Sequence, residues 1–148
     1  MILDFQGERH MHSVHPQLLF HYTCEMHLGS IMRSGMLDVT GSNVNHIPVV
    51  WMTSNPTPES LGVGVPGGTL KEFDKTRYRF TIAWHPHFEK WSDWCDRYSV
   101  PEEMRAIMGE TAGEIDTQDS WYVSEQPVYM NQWRSIDNLA TGKHLWEP

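Results

Sequence analysis

The stretch Leu18 to Gly35, LLFHYTCEMHLGSIMRSG, constrains the fold more than any other part of the chain. Leu18 to Thr23 reads as a short, largely buried strand. From there the hydrophobic period changes to that of a helix. Leu28, Ile31, Met32 and Gly35 keep helical spacing, Thr23 reads as the N-cap, and Glu25 suits the positive first turn. Arg33 falls in the last turn and Gly35 reads as the stop. A strand that runs directly into a helix calls for a mixed α and β architecture.

The remaining chain fits that class. Residues 38–46 are turn-forming, and Ile47 to Thr53 reads as a second strand closed by Ser54-Asn55-Pro56. Residues 57–69 are rich in glycine and nearly uncharged, as in a functional lid or a disordered segment. In Arg77 to Trp84 the alternation is clean. Tyr78, Phe80, Ile82 and Trp84 share one face, while Arg77, Arg79 and Thr81 share the other, which predicts a strand buried on one side. His85-Pro86-His87 reads as a turn. Phe88, Trp91, Trp94, Cys95 and Tyr98 then mark one face of a helix.

Ser99 and Glu102 suggest a capping box around Pro101 for a second short helix ending at Gly109. Residues 110–119 read as irregular. Trp121 to Val123 and Pro127 to Trp133 read as two strands or one bulged strand, and the tail after Asn138 carries no clear pattern. The expectation is an α+β fold: a polar N-terminal segment over 1–16 and one domain over 17–148.

Composition narrows the function. With 11 Lys and Arg against 19 Asp and Glu, the net charge is −8, so the chain lacks the basic footprint of a duplex-binding domain. No stretch approaches the ~18 apolar residues of a membrane helix. The N-terminus shows no basic start followed by an apolar run, so a cytoplasmic location is expected, with no membrane partner. Cys24 and Cys95 form neither a disulfide framework nor CxxC spacing.

His10, His12 and His15 form an HxHxxH string, but Val14 precedes the third histidine, and the carboxylate and further histidines of a metallo-hydrolase site are not evident. No metal is expected. A GxSxG elbow and a phosphate-binding glycine motif are also absent; GVGVPGG at 62–68 has no following Lys-Ser/Thr.

Three segments combine into something more specific. LFHYTCEMHLGSIMRSGML carries a histidine at a strand end followed by an aromatic residue, a small hydroxyl residue and a helix closing at Ser34-Gly35. WMTSNP places Thr53-Ser54 at the end of a strand. WYVSEQPV sets Glu125 in a late strand context. In these segments, between Leu18 and Trp133, the chain resembles the ADP-ribosyltransferase superfamily, in particular the histidine-containing branch with diphtheria-toxin-like and DNA-modifying members.

The resemblance implies split antiparallel β-sheets flanked by short helices. It also implies an NAD-dependent mono-ADP-ribosyltransferase, with NAD as substrate and a protein or nucleic acid as the acceptor. Glu125 would hydrogen-bond the 2′-hydroxyl of the nicotinamide ribose and orient the acceptor. His21 would bond the adenosine ribose, Tyr22 would be structural or would line the pocket beside Thr23, and Thr53 and Ser54 would support Glu125 or the ribose. Arg77 and Arg79 would meet the pyrophosphate, and Trp51, Trp91 or Tyr98 would stack on nicotinamide.

The chemistry asks mainly for a bent dinucleotide and a carboxylate facing an oxocarbenium-like ribose. Two alternatives share the fold: NAD glycohydrolysis with water as acceptor, and a non-catalytic partner-binding or inhibitor module.

Each residue also has a plainer role. On residue type alone, His21 is a satisfied core histidine and Glu125 an exposed loop glutamate. Thr53 and Ser54 would close a turn, Arg77 and Arg79 would form a solvated strand face, and Trp91, Trp94 and Tyr98 would be core.

Overall fold

A computed structural model describes residues 15–40, 47–57, 76–112 and 118–148, without the side chains of 109–112. His10, His12, most of the 57–69 segment and much of the 38–46 turn lie outside the described residues. β1 (Leu18–Thr23) leads through Cys24 into α1 (Glu25–Ser34), then β2 (Met36–Leu37) and β3 (Val50–Thr53). β4 (Tyr78–Ala83) and β5 (Phe88–Lys90) precede α2 (Trp91–Arg97) and α3 (Glu102–Ala112). β6 (Trp121–Ser124), β7 (Val128–Tyr129), β8 (Trp133–Asn138) and β9 (Lys143–Trp146) complete the chain, with short 3₁₀ turns at Gln118–Ser120 and Met130–Gln132.

The strands form an antiparallel seven-stranded sheet in the order β5-β6-β3-β1-β4-β8-β9, with β2 and β7 paired as a second small sheet. The architecture is therefore α+β, as expected. Strand alternation gives the large sheet two apolar faces. On one, Leu19, Phe80, Ile82, Phe88, Trp133 and Ile136 pack with Leu37 and Val128 of the small sheet, and Leu28, Ile31 and Met32 of α1 cover them. On the other, Trp121 and Val123 pack with Val49 and with Trp91, Trp94 and Cys95 of α2. Trp91, Trp94 and Cys95 are fully buried, whereas Tyr98 of the same stripe is only half-buried.

Gly35 ends α1 in the left-handed region at φ 71°, donating its N–H to Ile31 O at 2.9 Å, as its position predicts. The N-cap is Cys24 rather than Thr23, because Thr23 is still paired with Tyr78 as the last residue of β1.

The expected helix from Phe88 begins only at Trp91. Phe88, Glu89 and Lys90 pair with Ser124, Val123 and Tyr122 as a strand, so Phe88 enters one core while Trp91 enters the other. Ser99 does not cap α3: it has a positive φ of 54°, and Pro101 O accepts the first helical bonds, from Met104 and Arg105. That helix runs on to Ala112, past the expected stop at Gly109. Residues 143–146, unassigned from the sequence, add β9 to the sheet edge.

Candidate functional site

The sequence-derived residues fall into four places. His21 lies at the seam between β1 and β3, where the register pairs Phe20 with Thr53. Its half-buried ring donates Nδ1–H to Trp51 O at 2.7 Å and meets Phe80 edge-on at 6.4 Å. Burial lowers its pKa, against the opposing pull of the Trp51 hydrogen bond, so the imidazole is neutral and Nε2 carries the lone pair.

Tyr22, Thr53 and Ser54 meet around the turn after β3. The Tyr22 hydroxyl donates to Asn55 O at 3.0 Å, and Thr53 Oγ1 accepts the Asn55 amide at 3.1 Å. Ser54 N–H donates to Ser120 O at 2.9 Å. In this arrangement the two hydroxyl residues close and anchor a turn, while Thr23 is buried at the end of β1. Arg79 donates to Pro56 O at 2.7 Å and pairs with Asp137 at 3.4 Å, and its guanidinium lies 5.6 Å from the Phe20 ring centre. Arg77 instead pairs with Glu25 of α1 at 3.4 Å. The two arginines thus serve separate partners.

Glu125 follows β6 and faces α2. Its Oε2 accepts three hydrogen bonds: from Trp94 Nε1 at 2.9 Å, Arg97 at 2.7 Å and the Tyr98 hydroxyl at 2.8 Å. Trp94, Arg97 and Tyr98 share one side of the helix at i, i+3 and i+4. Arg97 is itself held by a two-pronged contact with Glu89, at 3.1 and 2.7 Å, and lies 4.5 Å from the Tyr98 ring centre. Burial alone would raise the Glu125 pKa. The bonds from Tyr98, Arg97 and Trp94 outweigh it and hold the carboxyl below its ordinary value. The side chain is 35% exposed and lines a cavity of about 190 Å³ with His87, Glu89, Arg97 and Gln126.

The structure therefore brings Glu125 together with Tyr98, and Tyr22 with Thr53 and Ser54, while no bond joins His21 to Glu125. Of the three candidate stacking aromatics, Tyr98 reaches the Glu125 carboxylate. Trp91 is sealed in the core and Trp51 packs on it at 4.8 Å. Sequence reasoning missed Arg97 and Glu89. The i+3 spacing of Arg97 from Trp94 was the available signal.

A second polar group joins β8 and β9. Asp137 accepts from His144 Nδ1 at 2.8 Å, and His144 Nε2 meets Glu147 at 3.1 Å.

Among the described residues no helix is long and apolar enough to cross a membrane, and no group of three His, Cys, Asp or Glu is placed to hold a metal. His15 of the HxHxxH string stacks on Trp84 at 4.1 Å. No family model, curated protein or solved structure matches the chain.

Proposed function

We propose that the chain is an NAD-dependent mono-ADP-ribosyltransferase acting in the cytoplasm, with Glu125 as its catalytic carboxylate. The observation that carries this reading is the state of Glu125. Three donors converge on Oε2, the group is kept ionised, and the residue stands on a cavity wall rather than in the core. A fixed, charged carboxylate with Oε1 left to accept from a ligand hydroxyl is what the chemistry requires. Oε1 takes the 2′-hydroxyl of the nicotinamide ribose as positive charge grows at C1′. The C1′–N bond breaks, nicotinamide leaves with the bonding electrons, and the acceptor nucleophile adds at C1′ and gives up its proton. His21, neutral and fixed by Trp51, offers Nε2 as an acceptor for a ribose hydroxyl.

Proton NMR of NAD⁺ mixed with the protein tests this. Wild type is expected to release nicotinamide, and Glu125→Gln to slow release by at least ~100-fold while NAD⁺ affinity stays within a few-fold. Parallel circular dichroism and urea unfolding separate lost chemistry from lost folding. Equal losses of release and binding in a folded Glu125→Gln variant refute the assigned role.

One observation favours a different class. The same three bonds also make Glu125 a clamp between α2 and the β6 end, and His21 sits at another seam of the sheet. That arrangement suits a module that retains the fold and binds a partner without catalysis. A wild-type protein that neither releases nicotinamide nor binds NAD⁺ at millimolar concentration, and that retains a stable partner on pull-down, favours this second reading over the first.

A further inference from the structure

Beside the Glu125 cavity lies a larger one of about 260 Å³, and His87 and Gln126 line both. We infer that this second cavity binds a heterocyclic base presented by a nucleoside, recognised through its flat face and its hydrogen-bonding edge. The inference does not depend on NAD⁺ chemistry at Glu125.

The chemistry of the walls supports it. His85 and His87 stack with ring centres 4.5 Å apart and planes 18° from parallel. The His87 backbone N–H donates to His85 Nδ1 at 3.1 Å, which orients the His85 ring and leaves its ring hydrogen on Nε2. A stacked pair of flat rings at a cavity wall offers a surface on which a third flat ring can stack.

The polar groups around the histidines are amides. Gln126 uses its backbone N–H and C=O on Ser124, and its side-chain amide makes no bond among the described residues. The Asn131 amide is likewise unengaged there. Gln132 spends its carbonyl on the Tyr129 N–H at 3.0 Å and keeps its NH₂ group for a ligand. Side-chain amides pair with the mixed donor and acceptor edge of a base, because they present one donor and one acceptor in a plane.

Charge and size narrow the ligand further. Among the described residues no Lys, Arg, Asp or Glu lines this cavity, and the chain carries a net charge of −8, which disfavours a phosphate there. The volume falls just below the ~300 Å³ at which ligand pockets begin, which leaves room for one base but not for a dinucleotide.

The test is saturation-transfer NMR and calorimetry on the full chain without NAD⁺. The probes are the five common nucleosides, a single-stranded oligonucleotide and ribose 5-phosphate. At least one nucleoside is expected to bind, and Asn131→Ala and Gln126→Ala each to weaken it about tenfold. Added salt should leave that affinity unchanged, since no phosphate is neutralised. A strand that binds more tightly than the nucleoside, with the same sensitivity to both variants, identifies a splayed-out base as the source.

The inference is overturned if neither nucleoside nor strand binds at millimolar concentration, or if both variants bind as wild type does. Binding that follows ribose 5-phosphate and falls with salt also overturns it. NAD⁺ as the sole ligand does so too, because its adenine would then be held through other parts of the dinucleotide. Glu125→Gln retains nucleoside binding in this account, so loss of nicotinamide release and loss of base binding are read independently.

Discussion

His144 stands between two carboxylates, with Asp137 at 2.8 Å on one ring nitrogen and Glu147 at 3.1 Å on the other. The Asp137 hydrogen bond raises its pKa most, against the desolvation that lowers it, and the Glu147 hydrogen bond adds to the rise. Burial would raise the Asp137 pKa, but the bonds from His144 and Arg79 prevail and hold that carboxyl down. The stabilisation from His144 is therefore complete below about pH 6.5 and is lost as pH rises through its elevated folded value. That from Asp137 is complete above about pH 3.9 and is lost as acid reaches its depressed folded value.

Between those limits both charges are present. His144→Asn should lower the melting temperature more at about pH 5.5 than at about pH 8.5. A loss of the same size at both would mean that charge on the imidazole contributes nothing.

α1 depends on its two ends, and Gly35 is the more exacting one. A Cβ built there meets nothing closer than Met130 Cε at 3.8 Å, an ordinary contact, so Gly35→Ala carries only the backbone penalty of φ 71°. Urea unfolding should show a loss of about 1 kcal/mol. A neutral result would mean that the helix end rearranges.

The same element shows why some of the fold was legible. In β1–α1 the hydrophobic period changes within a few residues and a glycine marks the end. β5 had no such signature: it spans three residues, and Phe88 falls by chance three positions before Trp91 although the two enter opposite cores. In β9, Lys143, His144 and Leu145 are all exposed, so no alternation appears. Glu125 could be singled out from sequence, but its partners could not. Trp94 and Tyr98 read as core side chains, and only packing shows that their polar ends reach the carboxylate. Asp137 and His144 meet through strand register, which sequence spacing does not reveal.

At the scale of the whole molecule, the large sheet separates two cores that each lean on tryptophan. Trp133 is fully buried, donates to Val128 O at 3.2 Å and meets Phe80 and Trp146 edge-on. Trp133→Ala should cost about 3–5 kcal/mol through the cavity and the stranded carbonyl. That is a large share of the ~5–15 kcal/mol of a typical domain. Because the two cores lie on one hydrogen-bonded sheet, and β3 and β6 send side chains into both, circular dichroism and tryptophan fluorescence should report one common urea midpoint, shifted downward in the variant. Two separated transitions would show that the α2 side unfolds independently of the α1 side.

Among the described residues the seven-stranded sheet is open, and it ends in two rims of the kind that invite another chain to add itself as a further strand. Here one rim is a strand of three residues that turns at once into α2, and the other carries Lys143 and His144 facing water. The first is too short to template a neighbour, and the second sets charge and hydration against one. The fold is thereby guarded against runaway self-association at the places where a protein rich in tryptophan and β-structure is most exposed to it.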